Sequence, residues 1–148
     1  MADLGDQVAK ICVRITGDGG DRCLMSRKRS RDKDKHDHLE FLGGHLDEGD
    51  TPPQAITREL AEEEATGGLA AALPADCSPV ANADAGGAHH YLFRLEINAA
   101  LAATLEADPE ESLGFRLVSV EALRNRELDD QLTSRTRAIL EVFGPTIF

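Results

Sequence analysis

Residues 58–64, RELAEEE, carry four carboxylates within six positions, and this segment restricts the fold of the chain more than any other. At about 100° per residue, a helix places Glu59, Glu62 and Glu63 on one face. Like charges three or four positions apart repel each other, and carboxylates near a helix C-terminus also face the negative end of the helix dipole. A fold that contains this helix therefore needs a way to compensate three converging negative charges.

The residues before the acidic segment predict where the helix begins. Thr51 can cap it, Pro52 suits the first turn, and Gln54 can complete a capping box. We expect the helix to run to about residue 65, with a glycine stop at residues 67–68. Ile56 and Leu60 lie on the face that adjoins the carboxylates, so we expect the carboxylates at the edge of the core, with Glu64 pointing elsewhere.

Hydrophobic periodicity and turn residues divide the rest of the chain. Strands are predicted at residues 8–15, 22–27, 39–42, 90–97 and 114–118, with a weak strand at 78–80. Further helical segments are predicted at residues 101–107, 120–123 and 130–143. Turns or loops are predicted at residues 17–20, 28–38, 82–88 and 108–111. Residues 45–50 are predicted to form a loop or a short strand. Strands interspersed with helices indicate one α/β domain with a mixed sheet over residues 1–148.

Length and charge exclude several classes of protein. A chain of 148 residues can bury one core, and its net charge of −11 argues against non-specific binding to nucleic acid or to an anionic membrane. No apolar run approaches the roughly 20 residues of a membrane span, and MADLGDQVAK lacks the features of a secretory signal. Cys12, Cys23 and Cys77 have no paired spacing, so we expect free thiols in a reducing cytoplasm.

The double glycine at Gly43 and Gly44 suggests a reason for the acidic face. It lies one short connection before the helix, where a carbonyl of the loop could join the carboxylates around a cation. Oxygen ligands of this kind suit Mg²⁺ or Mn²⁺, which would remove the repulsion and polarise a bound diphosphate. Arg58 could orient one carboxylate by a charged hydrogen bond. The alternative is an acidic helix face that only meets solvent, as in an interaction domain.

The spacing of these residues resembles the Nudix box, whose pattern is G-x5-E-x7-R-E-U-x-E-E-x-G-U, where U is a bulky aliphatic residue. Here Gly44, Asp50 and Arg58-Glu59-Leu60-x-Glu62-Glu63 stand at those spacings, over 23 residues. The preceding glycine and the Thr-Pro helix start are also found in many members. Two positions depart from the pattern: Asp50 replaces Glu, and Ala65-Thr66 replaces Gly-U. The resemblance implies a Nudix-type α/β/α sandwich.

The resemblance also implies an activity and a set of site residues. The activity is metal-dependent hydrolysis of a nucleoside diphosphate linked to another moiety, by attack of water on phosphorus. The implied ligands of Mg²⁺ or Mn²⁺ are Glu59, Glu62, Glu63 and the carbonyl of Gly43, with Arg58 orienting Glu59 or its neighbours. Glu111 in the acidic loop is expected to serve as a further ligand or as the base, with Glu110 as the alternative.

The sequence gives less information about the substrate. Arg27 and Arg29, at or near a strand end, are candidates for binding phosphates, whereas the rest of the loop at 28–38 is expected to be solvated. His45, in the loop before the helix, is a candidate substrate contact. The expected partner is a small nucleotide-type molecule, and a homodimer is possible because family relatives are often dimers. A catalytically weak nucleotide-binding module is the alternative function, but the intact Arg58 and glutamate set argues against it.

Overall fold

The computed structural model describes residues 6–17, 20–33 and 36–148. The strands are β1 (Asp6–Ile15), β2 (Arg22–Lys28), β3 (Leu39–Glu40), β4 (Leu42–His45), β5 (Ala81–Ala85), β6 (Ala88–Ile97) and β7 (Ser112–Ser119). The helices are α1 (Pro52–Glu63), α2 (Gly68–Ala72), α3 (Ala99–Ala102), α4 (Val120–Arg124) and α5 (Ser134–Ile147), with a 3-10 turn at Asp129–Gln131. The N-terminal stretch 1–5, residues 18–19 of the predicted turn and residues 34–35 of the predicted loop lie outside the described residues.

The seven strands form one mixed sheet, which confirms the predicted α/β class. Strand β1 lies at its centre and runs parallel to β6 over its whole length. Its other edge pairs antiparallel with β4 through residues 8–11 and with β2 through residues 13–15. Strand β5 extends the sheet beyond β6, and both β3 and β7 pair with β2. This arrangement brings β4 and its glycines directly beside the central strand.

The sheet has a separate hydrophobic core on each face. On one face Ala9, Ile11 and Val13 of β1 pack with Ile56 and Leu60 of α1. The opposite face buries the β1 residue Cys12 together with apolar residues of α4 and α5. Burying both faces of the sheet under helices produces the α/β/α layers that the resemblance to the Nudix box implied.

Helix α1 begins as predicted and ends earlier than predicted. The capping box is present: Thr51 Oγ1 accepts from the Gln54 amide at 3.3 Å, and Gln54 Oε1 accepts from the Thr51 amide at 2.9 Å. The helix ends at Glu63, because Glu64 adopts an extended conformation and forms a β-bridge with Ala107. The predicted end near residue 65 is therefore wrong, and Gly67 precedes a second short helix instead of ending the first.

The region before β6 also differs from the prediction. The expected loop at residues 82–88 is largely strand β5, whereas the expected strand at 78–80 is irregular. Gly86 and Gly87, with φ of 56° and 82°, form the tight turn that pairs β5 with β6. Strand β5 has the sequence ANADA, which is poor in β-branched residues, so its pairing depends on the neighbouring strand and not on propensity.

Several other boundaries move by a few residues. The terminal helix begins at Ser134 and not at residue 130, because Thr133 caps it through a hydrogen bond from the Thr136 amide. The predicted helical turn at 101–107 is the shorter α3, and Phe41 interrupts the strand predicted at 39–42. Cys12 and Cys23 are buried free thiols, as expected. Within the described residues, no helix has the length and apolar character required to cross a membrane.

Candidate active site

The double glycine of β4 is shaped by its close contact with β1. Gly43 has a φ of +124°, and a Cβ placed there would lie 2.0 Å from the carbonyl oxygen of Ala9. At Gly44 a Cβ would lie 2.6 Å from Cδ of Glu59. Both positions therefore exclude a side chain: the first because the neighbouring backbone is too close, the second because the Glu59 carboxylate fills the space.

Glu63 lies on the same side of the glycines and is almost fully buried, with 7% of its surface exposed. Its Oε2 accepts a hydrogen bond from the Gly43 amide at 2.9 Å. Burial raises the pKa of Glu63 to about 8, although the positive charge of Lys10 and the Gly43 amide oppose that shift. Burial also raises the pKa of Glu59, and the negative charge of Glu62 adds to the effect.

The three glutamates therefore share one helix face but have different environments. The side chains of Glu59 and Glu62 are 16% and 48% exposed, and only the latter meets solvent extensively. Glu59 and Glu63 are directed at the two glycines of β4. The predicted placement of the carboxylates at the edge of the core is confirmed for this pair.

Arg58 links the loop between β4 and α1 to the glutamates of α1. It forms an ion pair with Asp50 and donates to the carbonyl of His45 at 3.0 Å. Its guanidinium also lies 3.5 Å from Glu59 Oε1 and 3.7 Å from Glu62 Oε1. The hydrogen bond between Asp50 and Arg58 lowers the pKa of that aspartate and raises the pKa of the arginine. The aspartate that replaces the family's glutamate thus still reaches this arginine.

Lys10 of β1 belongs to the site but was not identified from the sequence. It is 6% exposed, and its Nζ donates to the carbonyls of Phe41 at 3.1 Å and Gly43 at 3.2 Å. The carbonyl predicted to bind a metal thus accepts from an ammonium group in this structure. A cation within the apolar strand VAKICVRI was the available sequence signal, because a buried lysine requires polar partners.

Glu64 has a structural role that sequence reasoning missed. It is 1% exposed, and its carboxylate accepts from the amides of Thr66 at 2.9 Å, Leu69 at 3.2 Å and Glu106 at 3.0 Å. Burial alone would raise its pKa, but these hydrogen bonds outweigh that effect and lower the pKa overall. Glu64 therefore points away from the other three carboxylates, as expected, and joins the end of α1 to a distant segment.

That segment leads into the acidic turn at residues 108–111. The Asp108 amide donates to the carbonyl of Glu63 at 2.9 Å, which places the start of the turn beside the end of α1. Glu110 and Glu111 are both exposed. Within the described part of the chain, no three Asp, Glu, His or Cys side chains lie close enough together to hold a metal ion. The structure therefore gathers neither Glu62 nor Glu111 with Glu59 and Glu63 into a ready-made ligand set.

The donors at the site nevertheless match a hard divalent cation. Glu59 and Glu63 offer carboxylate oxygens that are little exposed to solvent. The absence of a side chain at Gly44 leaves space for the Glu59 carboxylate. Neither thiol nor imidazole groups contribute to this set, which is typical of Mg²⁺ or Mn²⁺ sites. The residues therefore fit such an ion by their chemistry.

The predicted substrate contacts lie in three different places. His45 lines a cavity of about 370 Å³ beside Gly43 and Gly44. Arg27 pairs with Asp37 at 2.7 Å and lines a separate cavity of about 410 Å³. Arg29 is exposed beyond the end of β2 and makes no side-chain hydrogen bond or ion pair with a described residue. Of these candidates, the structure brings only His45 next to the glycines.

An α/β/α sandwich with glutamates of one helix set against a double glycine is the architecture of the MutT-like hydrolases. A model of the NUDIX domain family matches residues 6–142 of the chain. The chain belongs to this family and is a Nudix hydrolase, an enzyme that acts on phosphoanhydride bonds. No curated protein sequence matches the chain significantly.

Solved structures of similar fold include DR0079 from Deinococcus radiodurans, with a TM-score of 0.69 and 20% identity over 91% of this chain and 80% of that one. RenU, a Nudix hydrolase from M. smegmatis, has a TM-score of 0.61 and 19% identity over 94% and 83% of the two chains. A bifunctional NMN adenylyltransferase/ADP ribose pyrophosphatase from Francisella tularensis, complexed with AMP and a manganese ion, has a TM-score of 0.63 and 16% identity. That match covers 97% of this chain but only 42% of the larger protein.

Proposed function

We propose that this chain is a single Nudix domain that hydrolyses a nucleoside diphosphate linked to another moiety, with Mg²⁺ or Mn²⁺ as cofactor. Water attacks one phosphorus of the diphosphate, and the products are a nucleoside monophosphate and the phosphorylated second moiety. For a nucleoside triphosphate, the corresponding products are a monophosphate and pyrophosphate.

One observation carries the proposal: Glu59 and Glu63 turn their carboxylates toward Gly43 and Gly44 and away from solvent. A helix that only faced water would not bury a carboxylate to 7% exposure against a backbone amide. Glu59, Glu62 and Glu63 would hold the ion, which would neutralise charge on the diphosphate and polarise the attacking water. The manganese and AMP in the Francisella tularensis structure support this class of ion and of ligand.

The chain's own residues position these groups. Arg58 holds the β4–α1 loop through Asp50 and the carbonyl of His45, and it contacts Glu59 and Glu62. The carboxylates therefore keep their direction before substrate arrives, which reduces the reorganisation required during the reaction. A role for Glu62 as ligand fits its exposure, because a partly solvated side chain can turn toward an ion at little cost.

The reaction forms one bond and breaks one. The water oxygen bonds to phosphorus, the anhydride P–O bond breaks, and the bridging oxygen leaves with the second phosphoryl group. One water proton has to be accepted, and we assign this role, or that of a further ligand, to Glu111, with Glu110 as the alternative. Glu64 and the bond from Asp108 to Glu63 support the assignment, because they fix the start of the acidic turn beside α1.

A substrate screen tests the proposed function. Nucleoside triphosphates, dinucleoside polyphosphates and nucleoside diphosphate sugars would be incubated with the protein in Mg²⁺, in Mn²⁺ and in chelator, and release of monophosphate measured. We expect turnover of at least one class with either ion and none with chelator. Nucleotide binding without release of monophosphate would support the binding module instead, and neither binding nor turnover would contradict both.

A further inference from the structure

The cavity of about 370 Å³ beside Gly43 and Gly44 has a charge that contrasts with the rest of the chain. The chain carries a net charge of −11, but three cations line this cavity: Lys10, Lys28 and Arg135. Glu40 is the carboxylate that faces them. A concave site with a surplus of positive charge raises the local concentration of anions, and this effect is stronger where the walls are partly buried.

Two of the three cations leave all of their side-chain hydrogen-bond donors unused by the described residues. Arg135 lies 4.0 Å from Asp6, and Lys28 lies 3.5 Å from Glu40, but neither side chain makes a hydrogen bond to a described residue. Every other half-buried arginine among the described residues makes at least one such bond. These arginines are Arg14, Arg27, Arg58, Arg126 and Arg137. Arg135 thus holds five unbonded donors at the wall of a cavity.

Lys10 connects this cavity to the carboxylates. Its ammonium group donates to the carbonyl of Gly43 at 3.2 Å, and the amide of the same glycine donates to Glu63 at 2.9 Å. Two of its three donors contact carbonyls, which leaves one for a ligand. Gly43, which lines the cavity, therefore contacts both Lys10 and Glu63, one of the carboxylates proposed to hold the ion.

The lining chemistry favours a phosphoryl group over a nucleobase. Among the described residues that line the cavity, His45 has the one aromatic ring, and no Phe, Tyr or Trp offers a stacking surface. Thr133 and Ser134 add hydroxyl groups at the end nearest Arg135. Guanidinium, ammonium and hydroxyl donors around an anion are the usual means of binding phosphate in proteins.

We infer that this cavity binds a phosphoryl group of the substrate that is additional to the anhydride being cleaved, and that Lys28 and Arg135 select substrates that carry it. The inference rests on the proposed function, which it deepens by naming a substrate class. The substrate is a polyphosphorylated molecule, such as a nucleoside triphosphate, and a diphosphate that lacks the extra group is a poorer one.

Kinetic comparison of two nucleotides tests this selection. The triphosphate and diphosphate of one nucleoside would be assayed with Mg²⁺ for the wild type, Lys28→Gln and Arg135→Gln. We expect KM for the triphosphate to rise about tenfold in each variant while kcat stays within about twofold, since one charged hydrogen bond in a partly solvated site is lost. KM for the diphosphate should change by less than about twofold. Arg22→Gln, an exposed arginine at the start of β2, is the matched control.

Equal changes for both nucleotides, or no change for either, would overturn the inference while leaving the proposed function intact. A binding measurement covers the case in which neither nucleotide is turned over. Inorganic triphosphate would be titrated calorimetrically into metal-free wild type, Lys28→Gln, Arg135→Gln and Arg22→Gln. Affinity that falls about tenfold only in the two cavity variants supports the inference, and affinity that is absent or unaffected rejects it.

Discussion

Gly43 and Glu63, twenty residues apart in the chain, are joined by a hydrogen bond of 2.9 Å from the glycine amide to Oε2 of the glutamate. The carbonyl of the same glycine accepts from Lys10 at 3.2 Å. One glycine therefore contacts a buried carboxylate and a buried ammonium group at once. This connection between β1, β4 and α1 holds the groups proposed for catalysis in a fixed arrangement.

Glu63→Gln is expected to lower turnover by about 10³-fold or more, because an amide removes the negative charge proposed to hold the ion. The fold should persist, since the amide oxygen can still accept from the Gly43 amide. Steady-state kinetics and circular dichroism would measure the two effects. Glu141→Gln, an exposed position of α5, is the control and should retain wild-type turnover. Wild-type turnover in Glu63→Gln would reject the site.

Addition of Mg²⁺ is expected to raise the melting temperature of the wild type by several degrees. A ligand that binds only the folded state stabilises it by about 3 kcal/mol when its concentration is roughly 100 times Kd. Glu59→Gln and Glu63→Gln should show a much smaller rise. Thermal unfolding in Mg²⁺ and in chelator would provide the measurement, and an equal rise in all three proteins would place the ion elsewhere.

Parts of this site that depend on local chain geometry could be predicted from the sequence. The shared face of Glu59, Glu62 and Glu63 follows from helical spacing, and the start of α1 follows from Thr51 and Gln54. Other parts depend on contacts that no local pattern encodes. Lys10 reaches the carbonyl of Gly43 across 33 positions, and Glu64 reaches the Glu106 amide across 42.

The same distinction explains the errors in the fold. Helix α1 was expected to continue until a glycine, but tertiary hydrogen bonds to Glu64 end it earlier. The residues of β5 have a low intrinsic propensity for β-strands, so the strand is recognised only from its pairing with β6. Where a residue's conformation depends on a partner distant in the sequence, the residues beside it in the sequence do not predict that conformation.

Gly43→Ala is expected to destabilise the fold by roughly 3 kcal/mol, through collision with backbone and an unfavourable φ. The added Cβ would lie 2.0 Å from the Ala9 carbonyl oxygen, and backbone cannot rotate away as a side chain can. Gly49→Ala is the control, with a similar positive φ of +86° but no atom within 4 Å. It should cost about 1–2 kcal/mol. Urea unfolding would compare them, and equal losses would show that the contact with β1 is unimportant.

Glu111→Gln is expected to lower kcat more than Glu110→Gln does, if Glu111 is the ligand or base of the acidic turn. Both side chains are exposed, so neither change should alter the free energy of unfolding by more than about 1 kcal/mol. Kinetics of the two variants in parallel would decide the assignment, and a severe loss in Glu110→Gln alone would transfer the role to that residue. Wild-type kcat in both would remove the turn from the reaction.

His90 should make the stability of the protein depend on pH in mildly acidic solution. It is fully buried in β6, its Nε2 contacts the Ala85 carbonyl at 3.0 Å, and its Nδ1 has no partner among the described residues. Burial lowers its pKa from 6.5 to about 4, and the Ala85 carbonyl opposes that shift. Positive charges on Arg135 and Lys10 and the neighbouring His89 lower it further.

The direction of the pH effect follows from proton binding. Between pH 6.5 and about 4, the unfolded chain protonates this imidazole and the folded chain does not. The stability that depends on a neutral His90 is therefore fully present above pH 6.5. It is lost as the pH falls toward about 4, and the free energy of unfolding decreases by about 3 kcal/mol in total. His90→Gln removes the titrating group but keeps an N–H donor for Ala85.

The difference in unfolding free energy between wild type and His90→Gln should then shrink or reverse from pH 7 to pH 4, as measured by urea unfolding at several pH values. Taking the difference between the two unfolding free energies at each pH cancels the effect of the carboxylates that titrate in both proteins. His38→Gln, in the loop after β2, is the control and should follow the wild-type pH profile. A difference that stays constant with pH would mean that the folded protein protonates His90 as readily as the unfolded chain does, which full burial beside Lys10 and Arg135 opposes.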